Sequence, residues 1–156
     1  MTNENYPIVY LDIDEVLNTY DDVLDIDQAT PQRKYIEYGS GSFVEKEKLY
    51  RLHRLLATTN AKVVIVSSWA NGENEDEIGK LLGLDIHSKA LYTGGGDLRG
   101  KNVTLHREKH GITNYVVIDD GDVMYTNEPN LVSVNGRIGL TWENVFDALC
   151  ILYKYK

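Results

Sequence analysis

The chain has 156 residues, 42% of them hydrophobic, with 24 acidic against 16 basic side chains and a formal net charge of -8. That length suits one domain spanning 1–156 around one core, and the acidic balance excludes an extended basic surface for a nucleic-acid backbone. The single Cys150 excludes an internal disulfide framework and a cysteine-based zinc site. No apolar run approaches the roughly 20 residues that span a bilayer. The polar start MTNENYP lacks the basic-then-apolar order of a secretory leader, so a soluble, cytoplasmic protein with no membrane partner is expected.

Residues 7–12 (PIVYLD) form a short, β-branched apolar run that predicts a buried strand. Residues 19–42 are rich in Asp, Tyr and Gly with weak periodicity, and read as a loop or small flap over the end of that strand. Val44, Leu49, Leu52, Leu55 and Leu56 then have helical spacing. A second strand follows at 61–67 (AKVVIVS), and Ile78, Leu81 and Leu82 predict a short helix after it. Residues 93–100 read as a Gly-rich loop, 103–109 as a helix and 114–119 (NYVVID) as a third strand. Another strand is expected at 131–134, then a last helix capped by Thr141 with Trp142, Val145, Phe146, Leu149 and Leu152 on its apolar face. Strands alternating with helices predict an α/β fold: a three-layer, mainly parallel sheet with helices on both faces.

In such sheets ligands bind beyond the carboxyl ends of the strands. The three strong strands end in Asp12, Ser67 and Asp119, and each continues with polar residues: Asp12-Ile13-Asp14, Ser67-Ser68-Trp69 and Asp119-Asp120. Four carboxylates and two hydroxyls are thus expected on one edge of the sheet. Carboxylates crowd together only where a cation or a shared proton offsets their repulsion. Magnesium, hard and oxygen-seeking, is the natural cation for them.

These stretches resemble the motifs of haloacid-dehalogenase phosphatases. Residues 12–18 (DIDEVLN) look like the first motif, a DxD followed by a segment such as GVLN. Residues 64–69 (VIVSSW) look like the second, and 117–120 (VIDD) like the fourth. Arg99 and Lys101 both lie where the basic third motif falls. The layout is similar to the small domains of this family related to RNA-repair and polynucleotide-phosphatase proteins.

The resemblance implies a minimally capped, Rossmann-like fold and a magnesium-dependent phosphomonoesterase. Asp12 would be the nucleophile and Asp14 the general acid and base. Ser67 would bind a phosphoryl oxygen, and Arg99 or Lys101 would offset charge. The metal would be held by Asp12, the backbone carbonyl of Asp14, Asp119 and Asp120. The short regions between motifs leave no room for a full cap, so the implied substrate is a phosphorylated small molecule, a nucleotide or a nucleic-acid end.

Two positions depart from the family pattern. Glu15 stands where relatives have Gly, and Ala70 where many have Arg. They are the support for an alternative, a catalytically inactive relative acting as a binding module. A receiver-like phospho-acceptor would place its acidic pair early in the chain, whereas here it comes late.

Other patterns have bland readings. Residues 95–102 (GGDLRGKN) approach a phosphate-binding loop but end in Asn102 instead of Ser or Thr. Trp69 reads as a core or wall residue. His106 and His110, four apart without the adjacent Glu of zinc proteases, read as surface residues. Tyr20, Tyr35, Tyr38 and Tyr92 could stack on a base, but such tyrosines are more often amphipathic fillers.

Overall fold

The computed structural model describes residues 6–19, 34–39, 42–70, 74–90, 99–121, 125 and 127–154. In chain order the elements are β1 (Ile8–Leu11), β2 (Tyr35–Tyr38), β3 (Ser42–Glu45), α1 (Lys46–Thr59), β4 (Lys62–Ile65), α2 (Glu75–Leu82), α3 (Arg99–His110), β5 (Tyr115–Asp119), β6 (Leu131–Ser133) and α4 (Trp142–Tyr153). The continuous apolar runs pair as one parallel sheet in the order β4-β1-β5-β6. Leu11 is level with Ile65 on one side and Ile118 on the other. The chain therefore starts in the middle of the sheet, lays β4 on one flank and then crosses to the other. The strand order thus reverses between β1 and β5, the position in such sheets beyond whose strand ends ligands bind.

β1, β4 and β5 are buried on both faces, which is why they read as solid apolar runs and not as alternations. Val9, Leu11, Val63, Ile65, Val116 and Ile118 face the larger core, where Leu52 and Leu55 of α1, Ile78 and Leu82 of α2, and Val145, Ala148 and Leu152 of α4 pack. Ile8, Tyr10, Val64, Tyr115 and Val117 face the other side, where Val103 of α3 joins them. The molecule is a three-layer α/β sandwich with one helix on the thinner side.

The structure moves some boundaries. Val44 lies in β3, not on the helix, and pairs with Ile36 in an antiparallel hairpin. Part of the expected flap is thus an ordinary β-hairpin, while 20–33 and 40–41 lie outside the described residues. The Gly-rich stretch ends earlier than its composition implies, because Arg99 and Gly100 open α3; residues 93–98 lie outside the described set. Thr141 does cap α4, through a reciprocal box with Asn144. Trp142 and Phe146, placed by periodicity on its apolar face, are instead 50% and 64% exposed. Among the described residues, no helix is long and apolar enough to cross a membrane.

Candidate active site

Because β1 lies between β4 and β5, the residue that ends it has a strand end on either side. Asp12 follows Leu11 directly, and its backbone N–H donates to the carbonyl of Ile118 at 3.0 Å. Asp119 ends β5, and Ser67 follows β4 by two residues. All three side chains are buried, with Asp119 fully inaccessible. Carboxylate oxygens of Asp12, Asp119 and Asp120 lie within 4.8 Å of one another, and they are the one such acidic or histidine group of three among the described residues. The side chain of Asp14 is not among them.

Among the described residues, one cation enters this group. The guanidinium of Arg99, at the first position of α3, donates from Nη1 to Asp119 Oδ2 at 2.8 Å and stands 3.6 Å from Asp12 Oδ1. Lys101, two residues further round the helix, is exposed. Residues two apart on a helix point to different sides, so only one of the two candidates can reach the strand ends.

The electrostatics of the two buried aspartates diverge. Burial, then the charge of Asp119, then a hydrogen bond with Asp120 push the Asp12 carboxyl up to about 10, against the pull of Arg99. Burial also disfavours ionised Asp119. There, hydrogen bonds from Arg99, the Gly121 backbone N–H at 2.9 Å and the Tyr125 hydroxyl at 2.7 Å prevail and hold it below the usual carboxylate range. Tyr125 is driven upward by burial and by the Asp119 carboxylate, so it remains a donor. A single guanidinium thus does not neutralise the group, and without further positive charge Asp12 keeps a proton. Three hard oxygen donors with excess negative charge fit a small divalent cation.

Asp14 is exposed on the turn after β1 and is held from two sides. The Trp69 indole N–H donates to its Oδ1 at 2.8 Å and Asn18 Nδ2 at 3.1 Å. Asn18 also donates to the Phe43 carbonyl and accepts from the Glu15 backbone N–H at 2.9 Å. It ties the DxD turn to β3. Trp69 is itself fixed by stacking on Tyr38, with ring centroids 5.3 Å apart and planes 16° apart, while Asn74 donates to both the Tyr38 hydroxyl and the Trp69 carbonyl. Ser67 Oγ accepts from the Trp69 backbone N–H at 3.2 Å, which leaves its O–H able to donate.

The two departures from the family pattern have visible consequences. Glu15 has φ 66°, in the left-handed region where glycine is at ease and other residues are not. Its carboxylate lies over Gly136: a Cβ there would meet Glu15 Oε2 at 2.6 Å and Asp120 Oδ2 at 3.3 Å. Glu15 therefore adds negative charge beside Asp120. Ala70 is half-buried against the core and presents no charge.

Three contributors carry no site signature in the strand-end sequence pattern. Tyr125 sits six residues past Asp119 in a stretch without periodicity, and nothing local marks it. Trp69 carries the indole that grips Asp14. Asn18 had a signal, a turn-type amide four residues after Asp14, and could have been found from it.

The family model of the HAD domain in Swiss Army Knife RNA repair proteins matches residues 8–145, from the start of β1 into α4. No curated protein and no solved structure matches the chain.

Proposed function

Because the chain belongs to the family of HAD domains found in Swiss Army Knife RNA repair proteins, we propose that it is a magnesium-dependent phosphomonoesterase acting on the terminal phosphate of a nucleotide or nucleic-acid end. The observation that carries this reading is the convergence of Asp12, Asp119 and Asp120 on one buried spot bridged by Arg99. A carboxylate nucleophile beside a cation-ready group is what aspartyl-phosphate chemistry requires.

In this reading an oxygen of Asp12 attacks phosphorus as the bond to the leaving oxygen breaks. Asp14 gives that oxygen a proton. In the second half Asp14 takes a proton from water, whose oxygen attacks the same phosphorus and frees Asp12. Trp69 and Asn18 hold Asp14 through Oδ1, which leaves Oδ2 to exchange the proton. Ser67 donates its O–H to a phosphoryl oxygen. Arg99 tempers the repulsion between phosphate and carboxylates. Magnesium would be held by Asp12, Asp119, Asp120 and the Asp14 backbone carbonyl, and it supplies the charge neutralisation that lets a phosphate dianion approach them. Tyr38, stacked on Trp69, makes an aromatic wall on the Asp14 side, where a nucleoside leaving group would lie.

The test is phosphate release from p-nitrophenyl phosphate, mononucleotides and short 5′- or 3′-phosphorylated oligonucleotides, with and without magnesium, in the native chain and Asp12→Asn. Turnover that requires magnesium and disappears in the variant supports the proposal. Equal turnover in both removes Asp12 as nucleophile, and absence of turnover in a native chain that still binds magnesium favours the inactive relative.

A further inference from the structure

The thinner face of the sheet holds a second polar cluster, about 10 Å along α3 from Arg99. His106, seven residues after Arg99, is only 1% exposed and points at the sheet. Its Nδ1 is 2.8 Å from the hydroxyl of Tyr10 on β1. Its Nε2 is 2.7 Å from Ser88 Oγ, and the same oxygen is 2.7 Å from His87 Nδ1. His87 follows Ile86, which bridges to Val63 on the β4 flank. His110, one turn beyond His106, is exposed at the mouth of the cluster. The His106–His110, His87–His110 and His87–His106 ring centroids are 4.4, 5.5 and 6.2 Å apart.

We propose that His87, His106 and His110 form a second metal site, distinct from the carboxylate group, that takes a transition-metal ion of the zinc class. Three imidazoles on one tetrahedral zinc stand with ring centres roughly 5 Å apart, and the three separations here straddle that value. Imidazole suits zinc, copper and nickel, whereas magnesium prefers oxygen. With its proton on Nδ1, His106 donates to the Tyr10 hydroxyl oxygen and is oriented by it, as a metal-bound histidine is by the partner behind it. That contact leaves Nε2 as the donor atom. The nitrogens are not in coordination in the metal-free chain: the three do not all come within 4.8 Å of one another, and the Ser88 hydroxyl stands between His87 and His106, so binding requires that hydroxyl to turn away and the His87 and His110 rings to close on Nε2 of His106. Lys62 and Lys109 add positive charge nearby and Asp85 adds negative. Burial first, then the neighbouring histidines, keep His106 unprotonated down to about pH 4, so at neutral pH a metal meets a free lone pair. The site is independent of the phosphatase reading.

The experiment is calorimetric titration of the full chain with zinc in saturating magnesium, repeated on His87→Gln, His110→Gln, the double variant and Asp119→Asn. Cobalt absorption serves as a second readout. We expect one zinc equivalent in the native chain, retained in Asp119→Asn. We expect at least a tenfold affinity loss in each histidine variant and loss of the visible cobalt band in the double variant. Both histidines lie outside the packed core, so circular dichroism melts of these variants should match the native chain without metal. The proposal is overturned if the native chain binds no zinc under magnesium, if the double variant binds it as well as the native chain, or if Asp119→Asn abolishes it.

Discussion

Replacing Arg99 with Ala tests the electrostatic frame of the site. The native guanidinium, 18% exposed, donates to the inaccessible Asp119 and stands near the nearly inaccessible Asp12. Removing one member of a buried ion pair typically costs 3–5 kcal/mol, because the other charge stays buried. Asp119 retains its bonds from Tyr125 and Gly121, so the expected loss is at the lower end, about 3 kcal/mol. With a urea slope of about 2 kcal/mol/M, the unfolding midpoint should drop by roughly 1.5 M. The sign with pH follows from Asp119, whose carboxyl is held low in the folded chain. The contribution is present above the unfolded value near 4 and is lost as pH falls through the lower folded value, so the gap between native and variant closes only below about pH 4. Magnesium should narrow the gap at pH 7 by supplying positive charge to the same carboxylates. Lys101→Ala should stay within about 0.5 kcal/mol of native. The reasoning is refuted if Arg99→Ala unfolds with the native midpoint, or if Lys101→Ala carries the loss instead.

Three further outcomes follow from single contacts. Trp69→Phe keeps an aromatic ring on Tyr38 but removes the N–H that holds Asp14; kcat for a poor leaving group should fall roughly 10- to 100-fold, with a smaller loss for p-nitrophenyl phosphate, and an unchanged ratio between the two substrates would contradict the role given to Asp14. Glu15→Gly should raise stability by about 1 kcal/mol through relief of the left-handed backbone, and it should raise it further in the Gly136→Ala background, where the added methyl meets the Glu15 carboxylate; a gain no larger in that background than in the native chain would show that the two do not collide. In chelator, the His106 ring, held unprotonated to about pH 4 by burial, then by His110 and His87, should make the folded state lose about 3 kcal/mol as pH falls from about 6.5 to 4; a proton-NMR titration that finds His106 titrating near 6.5 would contradict this.

The parts of the fold readable in sequence are those where one physical demand dominates. β1, β4 and β5 are buried on both faces, so each is a run of β-branched residues ending abruptly in Asp or Ser. Their ends lie together because parallel strands share a direction, which is why Asp12, Ser67 and Asp119 could be grouped before any coordinates. The choice between Arg99 and Lys101 needed the first turn of α3, hidden by the glycines before it. His106 read as a surface residue because α3 buries little besides Asn102, Val103 and His106, so its apolar stripe is almost absent and burial is achieved through hydrogen bonds to Tyr10 and Ser88. The β2–β3 hairpin was obscured in a similar way, since Tyr, Glu and Ser alternate there with few aliphatic residues. Tyr125 meets Asp119 from six residues along the chain, a contact that no local pattern encodes.

The central claim is that Asp12 carries the phosphoryl group. Mass spectrometry after acid quench of Asp14→Asn incubated with magnesium and p-nitrophenyl phosphate tests it most directly, because this leaving group needs no proton and the second half-reaction lacks its base. The expected result is a burst of nitrophenol and one phosphoryl mass on the peptide containing Asp12. A phosphoryl group on another residue, or steady turnover with none on the chain, would contradict it.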